Sequence, residues 1–303
     1  MRYRRLDLNL LVALDALLAE RSVTRAAAKL NISQPAMSGV LARLRDFFGD
    51  PLVVQVGRQM ELTPLAQSVA APVQDIILRI DSMIATEPAF EPRSSKRHFS
   101  ITVSDYVLRV FLLDVLQRLY REAPGVTFEF RQSSGRARDA LESGEVDFVI
   151  APEIDVLPEH PHMTLFEDTY TVIAWTGNSV VGDTLSFDQY MGLGHVIFRS
   201  EEQGNPWLER WFVRQYGDAR RIEVAAASFS LLPHVLIGTD RIATIQTRLA
   251  RKYVRTLPVK LIESPVELPK LVETLQWNIH RDPDPAGRWL RDKLKEAPLE
   301  ASD

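Results

Sequence analysis

Residues 21–38 read RSVTRAAAKLNISQPAMS, two short helical patterns joined by a three-residue turn, and the rest of the chain is interpreted outward from them. Ser22 stands where a side-chain oxygen can accept from the first-turn amides of a helix; Val23, Ala26, Ala27 and Leu30 then share one face, and Asn31 closes it. Ser33 caps the next helix in the same way. Pro35 lies in its first turn, where a missing N–H costs nothing, and Met37, Val40, Leu41 and Leu44 form its apolar arc. Upstream, Leu10, Leu11, Leu14, Leu17 and Leu18 recur at three- and four-residue intervals and predict a helix over about residues 8–20. Three helices with this turn have the spacing of a helix-turn-helix.

At about 100° per residue, the face of the third helix turned away from that core carries Gln34, Pro35, Ser38, Gly39 and Ala42, with Arg43 and Arg45 at its edges. Such a small polar surface can enter a major groove: Gln34 offers a donor and an acceptor to a base edge, Ser38 either one, and glycine permits close approach. Leu52 to Val56, Gly57-Arg58-Gln59 and Met60 to Thr63 then read as a two-stranded wing with a basic tip, placing Arg58 beside phosphates or in the minor groove. The candidate DNA-binding residues are Arg25, Ser33, Gln34, Pro35, Ser38, Gly39, Arg43, Arg45 and Arg58. The alternative is a plain three-helix domain with a solvated third helix.

Charge agrees with a division of labour. The 303 residues carry a net −4, which taken alone argues weakly against nucleic acid, but residues 1–63 hold nine basic and six acidic side chains while the remainder holds 27 against 34. Length gives about two domains. No cysteine is present, which excludes disulfides, thiolate metal sites and cysteine nucleophiles. Arg2, Arg4 and Arg5 precede an apolar stretch broken by Asp7, Asn9 and Asp15 with no small-residue cleavage site, so the start reads as mature and cytoplasmic. Other apolar runs fall short of the roughly 20 residues that span a bilayer, so no membrane contact is expected.

The stretch 21–38, followed by Leu44, Leu52, Val53 and Thr63-Pro64, resembles the winged helix-turn-helix signature of LysR-type transcriptional regulators. Leu6-Asp7-Leu8-Asn9-Leu10-Leu11 is similar to the opening of the branch that holds nodulation regulators of the NodD type and regulators of aromatic-compound degradation. One departure stands out: many members have arginine directly after the second serine of the motif, where this chain has Gly39, so a contact made from that position is absent and the target sequence does not transfer. The resemblance implies binding to double-stranded operator DNA, dimerisation through a linker helix, often pairing of dimers into a tetramer, and contact with RNA polymerase. It also implies an α/β effector domain of two lobes, like a type 2 periplasmic binding protein, with a small molecule in the cleft.

From Pro64, Leu65, Val69, Val73, Ile76, Ile80 and Ile84 repeat at spacings of three and four and predict one apolar seam along a linker helix over 64–86. A lone amphipathic helix between two domains can bury such a seam on a second copy of itself or on its own winged domain; a homodimer is expected. Residues 87–97, with Pro88, Pro92 and Ser94-Ser95, read as a hinge. Beyond it, β-branched and aromatic runs alternate with helical patterns, giving an α/β domain over 98–303 with lobe I at about 98–164 and 270–303 and lobe II at about 165–269.

In open parallel sheets ligands bind beyond the carboxyl ends of strands. Those positions supply the candidate effector-binding residues Ser104, Asp105, Tyr106, Pro152, Phe198, Arg199, Phe229 and Thr247. Tyr106, Phe198 and Phe229 suit stacking on an aromatic ring; Ser104, Arg199 and Thr247 suit its hydroxyl or carboxylate groups. A small aromatic co-inducer (a phenol, chlorinated hydroquinone or flavonoid) is expected, and no other cofactor. His160 and His162 near Glu153, Asp155 and Glu159 lack further ligands at useful spacing, so no metal is expected. Asp282-Pro283-Asp284-Pro285 reads as a helix-start loop rather than an acid/base pair, and no catalytic constellation or nucleotide loop is present. The chain therefore reads as a regulator, most simply an activator, rather than an enzyme. The alternative is a small-molecule binding protein or enzyme whose N-terminal domain serves only assembly.

Overall fold

The computed structural model describes residues 7–57, 59–84, 90–132, 135–199, 206–217 and 219–297. The chain divides into two compact units, Met1–Thr86 and, apart from the stretch Glu142–Gly144, the chain from Glu87 onward.

In the first unit, α1 (Leu8–Glu20) begins at Asp7, whose carboxylate accepts from the Leu10 amide at 2.9 Å. Ser22 caps α2 (Val23–Lys29), and Ser33 caps α3 (Gln34–Phe48). Between them the Asn31 amide bonds to the Ala28 carbonyl and the Ile32 amide to the Ala27 carbonyl, which closes α2 with Asn31 in the left-handed region (φ 54°). Leu10, Leu14, Leu17, Met37, Leu41 and Leu44 fill the core. Strands β1 (Val53–Val56) and β2 (Gln59–Leu62) pair antiparallel with Val56 opposite Gln59, and Gly57 between them sits at φ 62°. Arg58 lies outside the described residues. Asp50 anchors the wing by accepting from the Leu52 amide and from the Thr63 hydroxyl, both at 2.6 Å, and Thr63 in turn accepts from the Ala66 amide as α4 (Pro64–Ile84) begins.

The expected single seam on α4 divides into two faces. Val73 is buried in the winged-domain core, where Val69 packs together with Ala66, Ala70 and Ile77, whereas Leu65 and Ile76 stay 36% and 43% exposed and Ile80 is half-buried. The side chain of Ile84 lies outside the described residues. The cause is geometric: eight residues along a helix leave Val73 about 80° around the axis from Leu65, so a seam of mixed fours and threes spans adjoining faces. The inner face packs on α1, and the outer face remains for a partner.

The second unit holds two five-stranded sheets. The first contains β3 (His98–Val103), β4 (Thr127–Gln132), β5 (Phe148–Pro152), β6 (His162–Asp168) and β12 (Leu271–Trp277), ordered β4-β3-β5-β12-β6. β3 runs parallel to β4 and β5, and β12 runs antiparallel to both its neighbours. The second contains β7 (Tyr170–Trp175), β8 (Gly194–Phe198), β9 (Arg221–Ala226), β10 (Ile242–Gln246) and β11 (Val259–Ile262), ordered β11-β7-β10-β8-β9. Around the sheets lie α5 (Asp105–Val107), a π-helical turn (Leu108–Leu112), α6 (Leu113–Glu122), α7 (Ala137–Glu142), α8 (Phe187–Gly192), α9 (Trp207–Tyr216), α10 (Leu232–Leu236) and α11 (Thr247–Val254). The last helix, α12 (Pro285–Lys295), starts on Asp284, whose carboxylate accepts from the Ala286 amide, while Asp282 accepts from the Trp277 indole N–H.

One boundary moves. Residue 164, expected to end the first lobe, falls inside β6, which stays hydrogen-bonded to β12 as far as Asp168, so the chain crosses at Thr169. His162 opens that strand instead of sitting in a proline-rich loop. The edge strands β6 and β11 escape pattern reading because a bulge at Leu165 shifts the alternation of β6 and the four residues of β11 do not alternate. Among the described residues no helix is long and apolar enough to cross a membrane.

Candidate DNA-binding face and effector cleft

On α3, Gln34, Pro35, Ser38, Gly39, Ala42, Arg43 and Arg45 are all exposed, on the side opposite Met37, Leu41 and Leu44. A Cβ built on Gly39 meets nothing within 4 Å, so packing does not require glycine there and the bare backbone is left for close approach. The arginines are less uniform than the sequence suggests. Arg45 donates to the Pro51 carbonyl at 2.9 Å and the Val53 carbonyl at 3.2 Å, bracing the base of the wing. Arg25 pairs with Glu20 and its backbone carbonyl at the end of α1, and Arg43 pairs with Asp7 at 3.1 Å. Ser33 spends its hydroxyl oxygen on the Ala36 amide. Gln34 and Ser38 thus stay exposed on this face, while Arg25, Ser33 and Arg45 are engaged within the domain.

In the second unit a cavity of about 500 Å³ opens between the two sheets. Ser104, Tyr106, Pro152, Phe198 and Phe229 line it, as expected from the strand ends. Asp105, Arg199 and Thr247 do not. The Asp105 carboxylate accepts from the Ser228 hydroxyl at 2.6 Å and from the Phe229 and Ser230 amides, tying one lobe to the other. Arg199 continues the β8–β9 pairing through its amide and is exposed, its charge acting on Glu209. Thr247 bonds the Thr169 hydroxyl at the crossing. Nor do Phe198 and Phe229 each await a ring: they stack on one another at 4.0 Å between centroids, and Tyr106 meets Phe229 and Phe166 edge-on.

The polar groups of the cavity are sorted by depth. Arg138 and Arg210 lie at its solvent side, 56% and 43% exposed, against Glu159 and Asp155. Deep in the wall, Glu209 pairs with Arg220 at 2.6 Å with both side chains buried, and burial raises the Glu209 carboxyl despite that arginine. Tyr106 donates to Asp168 at 2.6 Å; burial, with that carboxylate beside it, holds the phenol strongly protonated. Asp168 also accepts from the amides of Thr169 and Arg248 at the start of α11. Glu273, on β12, is 3% exposed, and its carboxyl is pushed up to about 8, chiefly by burial and then by Asp168 and Asp155. Its Oε2 and the Oε1 of Gln246 have no hydrogen-bond partner.

Residues 8–67 match the model of the bacterial regulatory helix-turn-helix protein, lysR family, and residues 92–298 match the LysR substrate binding domain. This chain belongs to the LysR family. Two relatives are Nodulation protein D of Bradyrhizobium sp. (strain ANU 289), 42% identical over 98% of this chain and 88% of that protein, and Nodulation protein D 2 of Rhizobium tropici, 41% identical over 100% and 96%. Among solved structures, a probable transcriptional regulator from Pseudomonas aeruginosa superposes with a TM-score of 0.67 at 27% identity over 99% of both chains. Full-length CbnR in complex with its target DNA shares the fold, with a TM-score of 0.60 at 12% identity over 97% of this chain and 100% of that one. As a LysR-type transcriptional regulator the chain binds DNA and assembles into oligomers; it is a regulator and not an enzyme.

For this LysR-type regulator, sequence reasoning missed several cleft residues. Tyr170 and Trp207 stack on one another at 6.0 Å on the cavity wall, and Glu209 and Glu273 line it. A signal existed for Glu273: a carboxyl inside a strand flanked by Leu271, Val272, Leu275 and Trp277 is costly unless the fold uses it.

Proposed function

We propose that the protein is a cytoplasmic, ligand-responsive transcriptional activator in which a homodimer, or a tetramer of paired dimers, holds operator DNA and responds to a small aromatic inducer, with RNA polymerase as its partner at the promoter. The observation that carries the inducer is the cleft itself. It is about 500 Å³, inside the ~300–1,000 Å³ range of small-molecule sites, and aromatic side chains from both lobes wall it. Phenols, chlorinated hydroquinones and flavonoids are the classes that fit such walls. Occupancy favours the lobe arrangement that grips the ligand better, and that shift changes how the assembled protein bends and holds DNA. A thermal-shift panel tests the class: a ligand present at 100 times its Kd adds about 2.7 kcal/mol to stability. If no aromatic compound in the panel raises Tm while the protein still protects a specific DNA site, the inducer reading fails and the regulator reading stands.

A further inference from the structure

Two acceptor oxygens in the cavity wall are buried and unpaired, and they come from opposite lobes. Glu273 sits on the first sheet, opposite Pro152 of β5 and Phe166 of β6, and is 3% exposed; Gln246 ends β10 of the second sheet, opposite Tyr170, and is also 3% exposed. Both line the same cavity, and neither Glu273 Oε2 nor Gln246 Oε1 has a partner. A buried polar atom left unpaired carries a desolvation penalty that a ligand can relieve. Three further polar side chains of the deep wall are occupied: Gln276 by the Leu157 and His160 backbone, Glu209 by Arg220, and Thr244 by Tyr190. The ring next to Glu273, Tyr106, donates its proton to Asp168.

We propose that Glu273 and Gln246 form a two-lobed clamp that accepts hydrogen bonds from two hydroxyl groups of one neutral aromatic ligand and disfavours aromatic carboxylates. The chemistry follows from what the wall offers. A hydroxyl can give each oxygen the donor it lacks, and the flat walls of Tyr170, Trp207 and Phe229 suit the ring between them. A carboxylate brings no donor for Gln246 Oε1 and adds negative charge near Asp168, while the arginines lining the cavity rim, Arg138 and Arg210, lie at the solvent side against acidic partners. Because one acceptor belongs to each lobe, a ligand with two hydroxyls draws the lobes together, which a ligand with one does not. The clamp rests on the proposed role of the cleft as the inducer site.

The test uses the full-length protein and calorimetric titration at pH 7 with dihydroxybenzophenone, its dimethyl ether and its dicarboxylate counterpart. Wild type binds the dihydroxy compound about tenfold or more tighter than either analogue. Glu273→Leu and Gln246→Leu each reduce the preference for hydroxyl over methyl ether, and the double variant abolishes it while the ether binds as before. The clamp is overturned if wild type fails to distinguish the ether, binds the dicarboxylate as tightly, or binds none of the three, or if the double variant keeps the preference. The wild-type comparison stands even if a variant does not fold. A separate footprint on operator DNA with the same preparation keeps the regulator reading distinguishable: its failure would overturn that reading alone.

Discussion

At the scale of single residues, the helix-turn-helix surface separates side chains left exposed on α3 from side chains engaged within the domain. Gln34 and Ser38 stand exposed on α3, whereas Arg45 donates to two wing carbonyls. Gln34→Ala and Ser38→Ala are expected to cost about 1–3 kcal/mol each at the specific site and to leave affinity for unrelated duplex unchanged. Arg45→Ala should instead loosen the wing and weaken both alike; competition gel shifts with specific and random duplex separate the two outcomes. In the cleft, Glu273 is the residue with the clearest pH signature. With its carboxyl near 8 in the fold and in the ordinary carboxylate range when unfolded, only the folded chain holds that proton between those limits, so stability falls as pH rises through the window. Asp168, Asp155, Tyr106 and Tyr170 are the titratable groups coupled to it. Glu273→Gln should flatten the decline of Tm between pH 5 and 8, where each kcal/mol corresponds to ~2–4 °C for a unit of this size. A decline as steep as wild type would contradict this. The sequence could not show these assignments: that Arg45 serves the wing, or that Arg199 lies off the cavity lining, depends on where separate segments meet.

At the scale of elements, the capped helices were legible because their signals are local. Asp7, Ser22 and Ser33 each accept from an amide three residues on, and Asn31 takes the left-handed turn that closes α2. The edge strands β6 and β11 were not, since a bulge shifts the period of two in β6 and β11 is too short to show it. The linker helix is the instructive case. Its apolar spacing was visible, but a spacing of four and three covers two neighbouring faces, and only packing on α1 shows which positions are spent inside the subunit. Val73→Ala should therefore lower unfolding free energy by about 1–2 kcal/mol, from lost burial, without changing assembly. Ile76→Asp should do the reverse, shifting the protein toward monomer in sedimentation velocity while its helical circular dichroism is kept. Dissociation by Val73→Ala and not by Ile76→Asp would place the partner on the wrong face.

For the whole molecule, the opening charge asymmetry acquires a structural meaning. The basic surplus belongs to the winged unit and the acidic surplus chiefly to the two-lobed unit, so a net −4 is compatible with DNA binding when oligomerisation brings several small basic faces to one duplex. The double crossing between lobes, at Thr169 and again before β12, was foreseen from the strand alternation and the resemblance, but the register that puts Glu273 and Gln246 on one cavity was not, because it depends on pairing strands more than seventy residues apart. The central claim joins the two units: ligand in the cleft alters binding at the winged face. The most direct test is a footprint of the full-length protein on the DNA upstream of its own and the neighbouring gene, at fixed salt, with and without a phenolic ligand that raises its Tm. The account predicts a discrete protected site whose extent or bend-induced cleavage pattern changes on adding ligand, with no change for a Gln34→Ala/Ser38→Ala variant that has lost the site. Protection that does not exceed that on random duplex, or a specific site wholly indifferent to a bound ligand, would contradict it.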